Sequence, residues 1–292
     1  MDGVLLVDKP AGITSTRALG AARRALGLRK AGHTGTLDPF ATGLLPLVFG
    51  EATKFSRFLL DADKTYRACL HLGHVSTTGD TEGQITRIGD FSPNLSDVGG
   101  VLAGLKGAQD QIPPMHSAVR VDGQRLYDLA RQGVEIARQP RPIEIFDLDL
   151  VSFSGEFLEI SVKCSKGTYV RTLGEEIGKR LGCGAYLTQL RRTAIGRFRV
   201  EEALAPDDLM ALGPAAACER LLPTEVLVEK LPRLELGPEG TWALCNGQEW
   251  AIEPSAGEGE FAVFAAGGRF LGVGRVAAGR LSAARLMHTG HG

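Results

Sequence analysis

A chain of 292 residues has room for one large domain with a small companion, at roughly 100 to 200 residues per domain. Apolar content of 43%, charged content of 23% and a formal net charge of −1 exclude a disordered polyelectrolyte, and no apolar run approaches the roughly 18 residues that a membrane span requires. Five cysteines without Cys-x-x-Cys spacing argue against a disulfide framework and a zinc site. Asp2 and Asp8 stand where a secretion signal carries Lys or Arg, so the expected location is the cytoplasm.

Val4 to Val7 predicts a strand, ended by the Asp8-Lys9-Pro10-Ala11-Gly12 turn because Pro10 has no N–H to give a ladder. Thr14 or Ser15 caps the next element, a helix with Leu19, Ala22 and Leu26 on one face and Gly27 as its stop. The run Gly32-His33-Thr34-Gly35-Thr36-Leu37-Asp38-Pro39 is too rich in turn formers for helix or strand and reads as an ordered loop. Tyr66, Ala68, Leu70 and Leu72 alternate with Arg67, Cys69 and His71, as do Leu158, Ile160, Val162 and Cys164 with their neighbours; both are half-buried strands. After Ser165-Lys166-Gly167, helical spacing links Val170, Leu173, Ile177 and Leu181, with Thr168 as cap and Gly182 as stop. Ala185 to Arg192 and Phe198 to Val200 predict further strands. The sum is an α+β domain, a mixed sheet with helices packed on it.

Between these elements, Pro113 to Pro142 carries five arginines with little apolar periodicity and reads as a long, partly mobile excursion. Near Glu229 prolines and glycines increase, and Phe261 to Ala265 and Phe270 to Val276 flank Gly267-Gly268, a tight-hairpin signal. A small all-β C-terminal domain of about 60 residues follows.

The charge is unevenly placed. Residues 160–200 hold nine basic side chains against two acidic ones, and residues 1–50 hold six against three, so the two stretches are expected to form one positive face. Asp38, held extended by Pro39 in a glycine-bearing loop, is a suitable mount for one reactive carboxylate. His33 has no second ligand at a metal-like spacing. Arg171 falls in the first turn of a predicted helix, where a cation opposes the helix dipole, so an anionic partner is expected: a phosphate or a carboxylate such as Asp38. Neither a dinucleotide or P-loop glycine motif nor a Gly-x-Ser-x-Gly elbow occurs.

The run Gly32 to Pro39 with Ala41-Thr42-Gly43 closely resembles the catalytic motif of bacterial tRNA pseudouridine-55 synthases. Gly3 to Pro10, Gly50 to Phe55, Lys64 to Arg67, Gln111 to Ala118, Leu126 to Gly133, Lys166 to Thr172 and Leu190 to Arg192 resemble further segments of that family, in its order. The resemblance implies a mixed, mainly antiparallel catalytic domain over residues 1–228 with an RNA-clamping excursion at about 114–142, and a PUA-like RNA-binding domain over 229–292. It also implies roles: Asp38 as the catalytic aspartate, Tyr66 stacking on the target base, Tyr169 at the active site and Arg171 pairing with the aspartate. Leu190 matches an apolar pocket residue, His33 one that holds the flipped-out loop, and Lys9 and Pro10 a mainly structural motif. His116 and Arg120 replace a common Tyr and Lys, and Thr77 stands where an acidic residue is often found.

The activity so implied is isomerisation of uridine to pseudouridine at position 55 in the T-arm loop of tRNA. The N1 to C1′ bond breaks, the uracil turns and C5 bonds to C1′, with no redox change and therefore no cofactor and no metal. The carboxylate either attacks C1′ or C6 or removes a ribose proton. The base must leave its stack first. Expected partners are tRNA alone, with no membrane and no obligate protein partner, the protein acting as a monomer. An adjacent Arg171 leads to the expectation of an Asp38 pKa below that of a free aspartate. A non-catalytic RNA-binding protein or tRNA folding chaperone is the competing reading; a glycosidase lacks an evident second carboxylate.

Overall fold

Two sheets organise the chain, and the computed structural model describes residues 1–89, 93–117, 120–121, 124–134, 136–253 and 257–288. Strand β1 (Gly3–Lys9) leads through helix α1 (Ser15–Leu26) to β2 (Ala31–His33) and β3 (Thr42–Phe49). A short helix α2 (Arg57–Leu60) precedes β4 (Lys64–Leu72) and the small hairpin of β5 (His74–Ser76) and β6 (Ile85–Arg87). Helix α3 (Leu95–Ala103) and β7 (Gly107–Gln111) are followed by β8 (Arg120–Val121), β9 (Gln124–Arg125) and α4 (Leu126–Arg131). Then come β10 (Arg141–Phe153), β11 (Phe157–Cys164), α5 (Val170–Arg180), β12 (Ala185–Ile195), β13 (Phe198–Arg199), α6 (Pro206–Ala211) and α7 (Gly213–Cys218). The last stretch holds β14 (Arg233–Leu236), α8 (Pro238–Cys245), β15 (Trp250–Ala251), β16 (Gly259–Ala265), β17 (Phe270–Ala277) and β18 (Arg280–Leu286).

The larger sheet runs β1-β3-β12-β4-β11-β10-β7, with β2 added to β3 and β13 to β12. Its ladders are antiparallel except where β12 meets β3, paired in parallel at Arg191 with Thr42 and Arg192 with Gly43. Gly43 has φ 104°, and a Cβ there would lie 2.2 Å from the Arg192 carbonyl oxygen, so only glycine permits this approach. Strict alternation in β4 has a simple cause: Tyr66, Ala68, Leu70 and Leu72 face the helices while the other face is left to polar side chains. In β1 and β3 both faces are covered, Leu5, Val7, Leu45 and Leu47 by the helical layer and Val4, Leu6, Leu44 and Val48 by a second cluster, which accounts for their nearly unbroken apolar runs. That second cluster also takes in Phe264, Phe270 and Val273 of the smaller sheet, so the two sheets share apolar packing.

Helix α1 begins and ends as its residues dictate: the Thr14 hydroxyl accepts from the Arg17 N–H, and Gly27 closes it at φ 68°. Three expectations need correction. Thr168 does not cap α5; its hydroxyl donates to the Ser165 carbonyl at 3.0 Å, and Tyr169 takes the cap position without a side-chain bond. Ala31 to His33 is a strand, because the backbone from Gly32 ladders onto Val48 before the loop begins. The C-terminal β unit, order β14-β16-β17-β18-β15, also carries the helix α8, started by Pro238 at its first turn. The expected mobility of residues 114–142 falls in part outside the described residues. Its described pieces include the β8–β9 pairing and α4, whose Leu126 is fully buried.

Candidate active site

The loop between β2 and β3 is anchored from four directions. Ser15, the buried first residue of α1, accepts from the Leu37 N–H at 2.8 Å and donates to the Leu37 carbonyl at 3.1 Å. Lys9, 0% exposed at the end of β1, extends its ammonium to the carbonyls of Pro10 and Ile13, both at 2.8 Å, and of Pro39 at 3.3 Å. Arg192 on β12 donates from Nη2 to the Gly35 carbonyl at 3.1 Å and from Nε to the Leu44 carbonyl at 2.8 Å. Thr34 donates through both its N–H and its hydroxyl to the Pro46 carbonyl. Asp38 is thereby held before any ligand arrives, which is the arrangement a reacting group requires.

Arg171, 5% exposed at the start of α5, distributes its guanidinium among four acceptors. Its Nε lies 3.1 Å from Asp38 Oδ2 and its Nη1 lies 3.3 Å from Asp80 Oδ2. Nη1 also donates to the Thr78 carbonyl at 3.1 Å and Nη2 to the His116 carbonyl at 2.7 Å. The cation is thus single-point to Asp38 and bridges two carboxylates. Asp80, 1% exposed, is fixed in turn by the Thr78 hydroxyl and the Glu82 N–H.

A cavity of about 270 Å³ opens above this network, lined by Thr36, Leu37, Asp38, Tyr66, Ser117, Thr168, Tyr169, Val170, Arg171 and Leu190. Five of the sequence-predicted residues therefore meet there: Asp38, Tyr66, Tyr169, Arg171 and Leu190. Tyr66 and Leu190 come from the adjacent strands β4 and β12. Tyr169 is set by Gln111, whose amide accepts from its N–H at 2.8 Å and donates to its carbonyl at 3.1 Å. Lys9 joins Pro10 to the loop through its bonds to the Pro10 and Pro39 carbonyls, and His33, on β2 and laddered to Leu47 of β3, does not line the cavity.

The expected acid shift of Asp38 is overturned. Burial raises its pKa above the ordinary carboxylate value, and Asp80 adds to that, against the opposing pull of Arg171, Lys9 and Arg192. The 34% of its side chain that stays accessible faces the cavity it lines. Burial also lowers Lys9 to about 8, lowers His33 with help from Arg192, and raises Tyr66 against the pull of Arg192, so the imidazole and the phenol are neutral near pH 7.

Within the expected positive face, several cations of residues 160–200 have carboxylate partners. Lys166 pairs with Asp61, Arg180 with Glu176, Arg191 with Asp8 through two bonds of 3.0 and 2.7 Å, and Arg197 with Glu229. Arg171 is buried against two carboxylates and Arg192 is buried on backbone carbonyls, so among the described residues five of the nine cations of residues 160–200 have a carboxylate partner. Ser15, Asp80, Gln111 and Arg192 are site residues that sequence reasoning missed. Among the described residues there is no cluster of His, Cys, Asp and Glu that could hold a metal ion, and no helix is long and apolar enough to cross a membrane.

Residues 23–170 match the family described as TruB family pseudouridylate synthase, N-terminal domain. Residues 171–229 match the tRNA pseudouridylate synthase B C-terminal domain, and residues 232–287 the C-terminal family of pseudouridine synthase II TruB. The chain is 51% identical over 290 residues to tRNA pseudouridine synthase B of Azoarcus sp. (strain BH72), covering 99% of this chain and 96% of that one. It is 47% identical to the protein of the same name from Burkholderia pseudomallei (strain 668), covering 99% and 98%. Among solved structures it is similar to a Cbf5-Nop10-Gar1 complex, with a TM-score of 0.73 and 27% identity over 94% of this chain and 78% of that one.

Proposed function

Since the chain belongs to the TruB family of pseudouridylate synthases, we propose that it isomerises uridine 55 in the T-arm loop of tRNA, with Asp38 as its catalytic carboxylate. The observation that carries this is Asp38, the one carboxylate among the described residues that line a cavity walled by Tyr66 and Leu190. The chain is an isomerase and tRNA is its substrate. The target base leaves its stack, at a cost of a few kcal/mol, and enters the cavity, where Tyr66 and Leu190 cover its apolar faces. Tyr169 and Arg171 set the reacting geometry, Lys9 and Pro10 hold the loop, and His33 supports the opened RNA loop from outside the cavity. Attack on C1′, addition to C6 and removal of a ribose proton each need the ionised form of Asp38. Its held position and its raised pKa both suit such a group, since they favour reactivity over rest.

Residues 1–228 serve as the catalytic domain and 229–292 as a PUA-like RNA-binding domain. The excursion at 114–142 closes over the RNA. The protein works in the cytoplasm as a monomer, with no cofactor and no obligate protein partner.

The test uses tRNA tritiated at uracil C5, because bonding of C5 to C1′ expels that tritium into water. Release from the uridine-55 position, lost when that uridine is replaced, is the expected result. A folded preparation that binds tRNA and releases no tritium would sink the catalytic reading in favour of an RNA-binding chaperone.

A further inference from the structure

Among the described residues, one buried side-chain polar atom of the cavity has no hydrogen-bond partner. Ser117 lines the cavity together with Asp38, Tyr66 and Leu190. Its residue is 5% exposed, and its hydroxyl oxygen is buried with no hydrogen-bond partner among the described residues. Two neighbouring polar side chains of the wall are engaged: Thr168 donates to the Ser165 carbonyl, and Arg171 turns its guanidinium to two carboxylates and two carbonyls. A buried hydroxyl is ordinarily satisfied, so an orphan at a ligand cavity marks a place where the ligand supplies the partner.

The backbone around Ser117 is held independently of its side chain. Its N–H donates to the Met115 carbonyl at 2.9 Å, and its carbonyl accepts the Tyr127 N–H at 3.1 Å, from the first turn of α4. The carbonyl of the preceding residue, His116, accepts from Arg171 at 2.7 Å. The hydroxyl is therefore presented on a fixed backbone, on the wall formed by the excursion.

We propose that Ser117 donates a hydrogen bond to a ring carbonyl oxygen of the flipped pyrimidine, making it a substrate-contacting residue that reads the polar edge of the base. A carbonyl oxygen is the complement of a lone hydroxyl donor, and uracil offers two, O2 and O4. This rests on the uridine-isomerase reading above.

The experiment compares wild type, Ser117→Ala and Ser117→Cys in single-turnover tritium release at saturating T-arm hairpin RNA. The target is uridine, 2-thiouridine or 4-thiouridine, each tritiated at C5. Ser117→Ala is expected to lower the rate on uridine about tenfold, the loss of one hydrogen bond made to the reacting base, with hairpin affinity within about threefold because phosphate contacts dominate it. Ser117→Cys, a weaker donor, falls between. Sulfur is a poor acceptor, so wild type slows on the thio-substrate whose oxygen Ser117 contacts, and that sulfur effect disappears in Ser117→Ala. A role confined to packing leaves both sulfur effects unchanged, and that result, or equal rates for all three proteins on uridine, overturns the assignment while wild-type release preserves the uridine-isomerase reading. Absence of release from wild type itself removes both.

Discussion

Among single residues, the charge state of Asp38 has the widest consequences. Its pKa lies above the free aspartate value of about 3.9, so turnover should fall with decreasing pH around a midpoint above that value. Arg171 opposes the rise, and its removal in Arg171→Ala should push the acid limb of a single-turnover pH profile further up. Arg171→Lys keeps a charge but not the four-way guanidinium geometry, so it should reduce saturating turnover far more than tRNA affinity. Unmoved acid limbs in both variants would dissociate Arg171 from Asp38 in function.

Asp38→Asn should lower tritium release by at least ~10³-fold with tRNA affinity within a few-fold. The same substitution bears on stability. A native carboxyl with a raised pKa holds its proton more tightly than the unfolded chain does, so between the unfolded and native pKa values stability declines as pH rises. Above that window the ionised group is a standing cost, and Asp38→Asn should unfold at a higher temperature than wild type at pH 7. Asp38 and Arg171 were legible because a proline-restrained carboxylate and a cation at a helix start each break a local rule. Arg192 was also within reach, since it shares strand parity with Leu190 and therefore its face. Ser15 was not: its partner Leu37 is 22 residues away, and its local context reads only as a helix cap.

At the scale of elements, the parallel contact of β3 with β12 sets the site, because it brings the loop bearing Asp38 beside Leu190. Gly43→Ala would place a methyl group 2.2 Å from the Arg192 carbonyl oxygen and at a positive φ, so it should cost at least about 3 kcal/mol in chemical denaturation and remove turnover with it. Retained activity with native stability would mean that the two strands separate freely. Helices α1 and α5 and strands β1, β4 and β11 were legible because each has one covered face, or short apolar runs bounded by turn residues. Strand β3 was not, since Pro46 in an otherwise apolar run argues against a central strand. Pro46 sits one residue past the end of the β2–β3 ladder, whose last pair is His33 with Leu47, and its carbonyl serves Thr34. Strand β10 failed to show itself for another reason: most of its 13 residues are exposed, leaving too little alternation to read.

At the scale of the whole molecule, the two sheets are joined through Phe55, Phe264 and Phe270, with Phe55 and Phe270 rings 5.5 Å apart. Phe270→Ala should cost about 3 kcal/mol. Both tryptophans lie in the C-terminal unit, so coincident unfolding by tryptophan fluorescence and far-ultraviolet dichroism is expected, with both curves shifted together by the mutation. Two separated transitions would show the units to be independent. The paired cations bear on RNA binding: nine free basic groups would give a logarithmic salt slope of about 6 to 8 in magnitude, whereas a slope below about 4 is expected when most must first leave a carboxylate. Charge summed along the sequence could not reveal this, because most of the partner carboxylates, such as Asp8 for Arg191 at 183 residues' separation, lie elsewhere in the chain.

The tether from Arg192 to the Gly35 carbonyl spans 157 residues. During synthesis at about 5 to 20 residues per second, the segment bearing Asp38 waits roughly 8 to 31 seconds before the Arg192 guanidinium exists. Leu222, which pairs with Val4 to close the outer edge of β1, arrives later still. A nascent or truncated chain that ends before these residues holds the Asp38 loop through Lys9, Ser15 and Thr34 but not Arg192, so full turnover is expected only once translation has passed both sheet-closing segments.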